Sequence, residues 1–341
     1  MKKAVFIYIA AVLLTVCLII VLTFFGTANI TLLETYKILS MKIFGFYKSE
    51  AAGMGTKETI IWRVRFPRTL LAFVCGGALS VCGGVYQAVF KNPMADPFVL
   101  GVSSGAAFGA TIGIVLRYPA NFLGMNMISW LAFLGSLFAI LIVYNIAKVG
   151  RQTHLTSLLL TGTALSQLLT AIISIAMMVS GDDMKRIYYW TLGSFNARGW
   201  SHIATVLPYC AVGIAIVAAH TRELDIIMLG DDAAVRMGVE SEKIKRIMLV
   251  STAFIMSACV SVSGIIGFVG LVAPHVVRLF TGPMHSRLLP AAFLAGGCLL
   301  SICDTIARSA IAAEIPVGIV TAIIGAPFFI YLLRTRRHEV L

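Results

Sequence analysis

Apolar segments of about twenty residues recur along the whole chain, and that repeat limits what it can fold into. They run roughly over 4–25, 66–90, 98–116, 127–147, 156–180, 203–221, 244–263, 265–281, 288–311 and 315–333. A helix needs about 20 apolar residues to cross the hydrocarbon core of a bilayer. Backbone groups inside lipid must be satisfied within the segment itself, and no dyad alternation marks a barrel, so the segments are expected to be helices. Composition agrees: 59% of the 341 residues are hydrophobic and 12% are charged, where a soluble domain has about 25% charged. A water-soluble enzyme, a disordered chain and a disulfide-stapled secreted domain are excluded. The expected fold is all-α, a polytopic membrane protein of about ten transmembrane helices forming one domain over 1–341. The first segment is too long for a signal-peptide core and is expected to be retained.

An even number of spans puts both termini on one side. The segments that would then face inward hold Lys2, Lys3, Lys91, Lys148, Arg151, Arg222, Arg236, Lys243, Lys245, Arg246, Arg278, Arg287, Arg334, Arg336 and Arg337, whereas the short outer ones hold fewer cations. Positive loops stay cytoplasmic, so both termini are expected there. The formal charge of +12 then reflects loops facing anionic lipid rather than nucleic acid. Cys17, Cys75, Cys82, Cys210, Cys259, Cys298 and Cys303 all lie in apolar runs without a CxxC. Neither a metal site nor any other cofactor site is signalled. Gly101, Gly105, Gly109 and Gly113 share one helical face, as close helix packing in a membrane requires.

Candidate working residues are few. Asp304 and Arg308 stand at i, i+4 in an apolar helix, an expected ion pair near the outer interface, with Glu314 beyond. Arg65 and Arg68 stand at i, i+3 around Pro67, which suits a helix's first turn. That spacing would project both guanidiniums from one side at the outer face. No nucleophile–base pair or paired acids appear, so no catalytic residue is assigned. No lysine follows a glycine, so the chain has no phosphate-cradling loop of its own, and an ATP-driven process would need a separate ATPase. The longest inner loop, 222–246, offers it a docking element. Leu229, Gly230, Asp231, Asp232, Ala233, Ala234, Met237 and Gly238 read as a two-turn helix. Its acids sit at the N-terminus, Ala233, Ala234 and Met237 are presented, and Gly238 is the stop.

Several motifs carry a resemblance. Arg65-Phe66-Pro67-Arg68, Gly83 with Gln87, Asn92-Pro93-Met94-Ala95-Asp96-Pro97 and Leu100-Gly101 come first. Gly267-Phe268-Val269-Gly270-Leu271-Val272-Ala273-Pro274-His275, Asp304-Thr305-Ile306-Ala307-Arg308, Glu314-Ile315-Pro316-Val317-Gly318 and Gly325-Ala326-Pro327 follow in order. Together they resemble the FecCD permeases of ABC importers for iron–siderophores, haem and cobalamin. The resemblance implies a ten-helix cell-membrane permease paired with a second copy or a paralogue. Two cytoplasmic ATPase subunits and an extracytoplasmic substrate-binding protein would complete the importer. It also implies that 229–238 is the coupling segment, that Asn92 and Met94 lie near the cytoplasmic gate, and that Arg65, Arg68 and Arg308 receive the binding protein. Among the cargoes, a ferric siderophore is expected, with cobalamin or haem as the alternative.

Overall fold

A chain this apolar satisfies its backbone by coiling, and helices dominate the computed structural model, which describes residues 2–26, 28–45, 55–117, 121–122, 125–149, 152–153, 155–311 and 313–336. In chain order the helices are α1 (Lys2–Phe24), α2 (Leu32–Phe44), α3 (Gly55–Thr59), α4 (Phe66–Val89), α5 (Val102–Leu116), α6 (Met127–Ala147), α7 (Leu155–Val179) and α8 (Met184–Thr191). Then come α9 (Trp200–Ala219), α10 (Thr221–Met228), α11 (Asp231–Arg236), α12 (Ser241–Ser263), α13 (Val269–Thr281), α14 (His285–Ser309) and α15 (Val317–Arg336). A π-helical turn, Ile60–Arg65, joins α3 to α4. Two antiparallel pairs of two-residue strands close the turns after α5 and α6.

Among the described residues, six helical stretches are long and apolar enough to cross a membrane: Gly55–Val89, Met127–Ala147, Leu155–Val179, Trp200–Ala219, Ser241–Ser263 and His285–Ser309. Shorter apolar helices fill Tyr8–Phe24, Val102–Leu116, Val269–Thr281 and Val317–Leu332. Each apolar segment of the sequence thus overlaps one of these six long or four shorter apolar helices. Arg151 and Arg337, two of the cations used to orient the chain, lie outside the described residues.

The bundle is organised on α4, which is buried along nearly its whole length. Small residues set how closely its neighbours approach. A Cβ at Gly76 would run into the Gly296 carbonyl of α14, and one at Gly83 into the Gly270 carbonyl of α13. On the same stripe Gln87 Nε2 donates to the Leu271 carbonyl at 3.2 Å and Ser80 Oγ to the Val269 carbonyl at 3.4 Å. The α4 stripe therefore holds the first turn of α13, whose amides and carbonyls begin abruptly after Phe268 (φ 67°). The glycine face of α5 also packs: Gly105, Gly109 and Gly113 abut Gly135, Leu131 and Ile128 of α6. Gly101 does something else, turning the chain into α5 with φ 83°.

The helix α2 was not anticipated, although its signal was in the sequence. Thr31 Oγ1 accepts from the Glu34 amide at 3.2 Å and Glu34 Oε2 from the Thr31 amide at 2.8 Å. This is the reciprocal cap that Thr-x-x-Glu encodes. Ile38 and Leu39 are buried, while Leu32, Leu33, Tyr36, Ile43 and Phe44 stay exposed. Lys57 binds Glu34 at 2.7 Å and ties α3 to it.

Candidate functional site

The loop 222–246 folds as the two short helices α10 and α11. Asp231 and Asp232 occupy the first turn of α11, and the turn that stops the helix after Arg236 is made at Gly238, whose φ is 76°. The Val239 amide donates to the Ala234 carbonyl at 2.8 Å and the Gly238 amide to Val235 at 3.0 Å. Those two bonds are a left-handed C-terminal cap, and glycine supplies its backbone angle without Cβ strain. The presented face differs from the expected one. Ala234 is fully buried and Ala233 half-buried, while Leu229, Val235 and Met237 are exposed by 67%, 70% and 58%. Ala234 points into the core because the short helix lies flat on the bundle, so Val235 and Leu229 replace it at the tip. Three large apolar side chains on a charged loop make an unpartnered contact surface.

This tip is tied to the turn after α4. Asp231 Oδ1 bonds Lys245 Nζ at 3.1 Å and Lys91 Nζ at 3.4 Å. Burial opposes its ionisation, but Lys245 and then Lys91 outweigh it and hold the carboxyl below its usual pKa. Lys245 itself is buried at 6% exposure and also binds Glu242 at 3.1 Å. Beside Lys91, Asn92 Oδ1 accepts from the Met94 amide at 2.9 Å, and the Ala95 amide reaches the Asn92 carbonyl at 3.1 Å. Asn92 is exposed and Met94 half-buried. The expected coupling segment and the expected gate turn are therefore joined by one carboxylate between two cations. A second tether, His285 to Asp225, holds α10 to α14.

At the opposite end the three arginines come together, but they face inward. Arg65, Arg68 and Arg308 are exposed by only 5%, 4% and 5%. Arg68 Nε contacts both oxygens of Asp304 at 3.1 Å, Nη2 adds a contact at 3.0 Å, and Nη1 reaches Glu314 at 2.8 Å. Asp304 thus pairs with Arg68 of α4, not with Arg308 one turn along its own helix as the i, i+4 spacing had suggested. Asp304 is fully buried, and a bidentate guanidinium on the facing helix satisfies it better than a neighbour reaching along the same one. The other two arginines cap α1. Arg65 donates to Phe24 O at 2.7 Å and Ala28 O at 2.9 Å, and Arg308 Nη2 to Leu22 O at 2.7 Å. The last turn of α1 has no base of its own, and its open carbonyls carry the negative end of the helix dipole. A projecting Arg65–Arg68 pair is accordingly not what the fold builds. The π-helical turn and the buried acid on α14 both rotate these side chains into protein. Among the described residues, Nε and Nη1 of Arg308 have no hydrogen-bond partner.

Sequence reasoning missed a third feature. Between α12 and α13 the backbone at 264–268 is not helical. With α15 and the end of α8 it bounds an open cavity of about 710 Å³, lined by Leu192, Ile265, Phe268, Gly318, Ala322 and Pro327 among others. Non-helical backbone at membrane depth is tolerated where protein covers it or it lines a cavity. The Gly267-Phe268 and Gly325-Ala326-Pro327 motifs were the available signal.

The sequence profile of the FecCD transport family matches residues 12–335, a range that holds every candidate site residue named above. The chain belongs to the FecCD transport family. It is a multi-pass protein of the cell membrane of the type II ABC importer permease class. A cobalamin import system permease from Halobacterium salinarum is 42% identical over 286 residues, 84% of this chain and 76% of that one. An iron(3+)-hydroxamate import permease from Bacillus subtilis is 32% identical over 93% of this chain and 94% of its own length. Among solved structures, a chain assigned to a metal-chelate type ABC transporter, in an inward-facing conformation, superposes with a TM-score of 0.82. It is 27% identical and aligns over 96% of this chain and 99% of that one. FecCD membership accounts for the order of the motifs.

Proposed function

We propose that the whole chain is the permease of an importer that carries a bulky metal chelate, a ferric siderophore foremost, into the cytoplasm. Ten helices cross the membrane and both termini are cytoplasmic. ATP is hydrolysed on two separate subunits that dock on Leu229, Val235 and Met237. The observation that carries this reading is the exposed apolar tip of α11, clamped through Asp231 to the Lys91–Met94 turn. Movement imposed on the tip reaches that turn without an intervening flexible segment, so the turn acts as the inner gate. The cavity face of 264–268 and α15 meets a second permease copy, and the chelate passes between the two. The chain needs no cofactor and no nucleic acid.

An extracytoplasmic binding protein docks on the outer end, over Arg65, Arg68 and Arg308. A carboxylate arriving there can replace the partly exposed Glu314 on Nη1 of Arg68. The siderophore reading is supported by the full-length match to the hydroxamate permease. A cobalamin reading is favoured by the higher identity to the Halobacterium permease. Uptake of radiolabelled ferric hydroxamate, cobalamin and haem by cells expressing the complete system separates them. Accumulation of the iron hydroxamate alone supports the first reading, and cobalamin alone the second. Accumulation of none of them would overturn both.

A further inference from the structure

A groove of about 630 Å³ runs between α1, α9 and α14, with α4 as its floor. Val12, Val81, Ile214, Leu289 and Phe293 line it, and its polar edge is confined to one end, at Tyr8, Thr221 and Ser286. That end is the one carrying α10. Pro290 sits in the α14 wall and has no N–H to give the Ser286 carbonyl, so a polar backbone group faces the mouth. Tyr8 donates its hydroxyl to the Arg287 carbonyl at 3.0 Å and closes the mouth on the α1 side. Next in sequence to Thr221 and Ser286 stand Arg222 and Arg287, both exposed, and neither guanidinium makes an ion pair among the described residues.

This face is built differently from the 264–268 face. Its walls are helical throughout, apart from the carbonyls that Pro208 and Pro290 leave open, so hydrocarbon can cover it without a second protein. An apolar slot with two free cations at one end matches an anionic phospholipid, with an acyl chain along the slot and the phosphate at the mouth. We propose that this groove is a binding site for an anionic glycerophospholipid, an acyl chain lying against α4 and the phosphate held by Arg222 and Arg287. The leaflet, inner rather than outer, rests on the orientation proposed above; the site itself does not.

The test needs no transport. Full-length protein is reconstituted in nanodiscs of phosphatidylcholine with a minority of phosphatidylglycerol, released, and weighed by native mass spectrometry. Phosphatidylglycerol should stay bound in preference to phosphatidylcholine. Arg222→Glu with Arg287→Glu should cut that enrichment about tenfold, while the Arg222→Lys, Arg287→Lys pair should keep most of it. Ala211→Trp, an exposed groove position, should remove retained lipid while leaving the melting temperature unchanged. Equal retention of the two lipids, undiminished enrichment in the charge-reversed pair, or full retention in Ala211→Trp would each overturn the proposal.

Discussion

Replacing Asp304 with alanine should destabilise the bundle more than any exposed substitution on this chain. The carboxylate is fully buried and meets Arg68 through three nitrogen–oxygen contacts of 3.0–3.1 Å. Without it, a guanidinium that is 4% exposed keeps only Glu314, whose side chain is 38% exposed. Breaking a buried pair from one side costs about 3–5 kcal/mol, because the remaining charge is uncompensated. At roughly 2 °C per kcal/mol for a large domain, the melting temperature in detergent should fall by about 6–10 °C. Arg68→Met combined with Asp304→Leu removes both charges and should recover most of that loss. The double variant also separates two roles for Arg68. If the arginine only holds α4 to α14, the double variant transports normally. If it also receives the binding protein, the variant folds but loses substrate-driven uptake. A fall of less than about 1 °C for Asp304→Ala would refute the reasoning, because it would place the pair in the class of exposed bridges worth about 0–1 kcal/mol.

Gly238→Val should cost about 1–2 kcal/mol through its left-handed backbone alone, since a Cβ there meets nothing within 4 Å; expression should persist while ATPase co-purification is lost. Gly83→Ala should lower thermal stability by about 1–3 kcal/mol or more, because the added carbon lands in the Gly270 carbonyl. Cysteines placed at the exposed positions Glu240 and Asp182, in a cysteine-free background, should label from opposite sides of the membrane. Glu34 has its pKa pulled down to about 2, first by the Lys57 hydrogen bond and then by the Thr31 amide. A depressed folded pKa means that the α2 tether is intact above the ordinary carboxylate range and is lost as pH falls through about 2. Lys57→Gln should move the Glu34 titration, followed by infrared spectroscopy of the carboxyl, back toward that range.

Helix positions were legible because lipid imposes a length on apolar segments, and α6 runs over the same residues as its segment. The α5 glycines were legible for a related reason: four-residue spacing of small residues has few uses other than close packing. The stop at Gly238 was local chemistry. What escaped the sequence is tertiary. The partner of Asp304 could not be read from its own helix, since Arg68 lies 236 residues away. The π-helical turn over Ile60–Arg65 adds one residue per turn and rotates Arg65 onto the end of α1, which a 3.6-residue period does not anticipate. Ala234 reads as a presented residue in the sequence, yet it is the point of contact with the core. The cavity face at 264–268 is made by backbone shape, and side-chain patterning says little about it.

The central claim is that this chain is a permease moved by ATPases it does not contain. Proteoliposomes holding the permease with its ATPase subunits, supplied with the binding protein and a labelled metal chelate, test it most directly. Chelate accumulation should require ATP and all three components, and should disappear in Gly238→Val while the permease remains folded. Accumulation by the permease alone, or ATP-independent accumulation by the complete assembly, would contradict it.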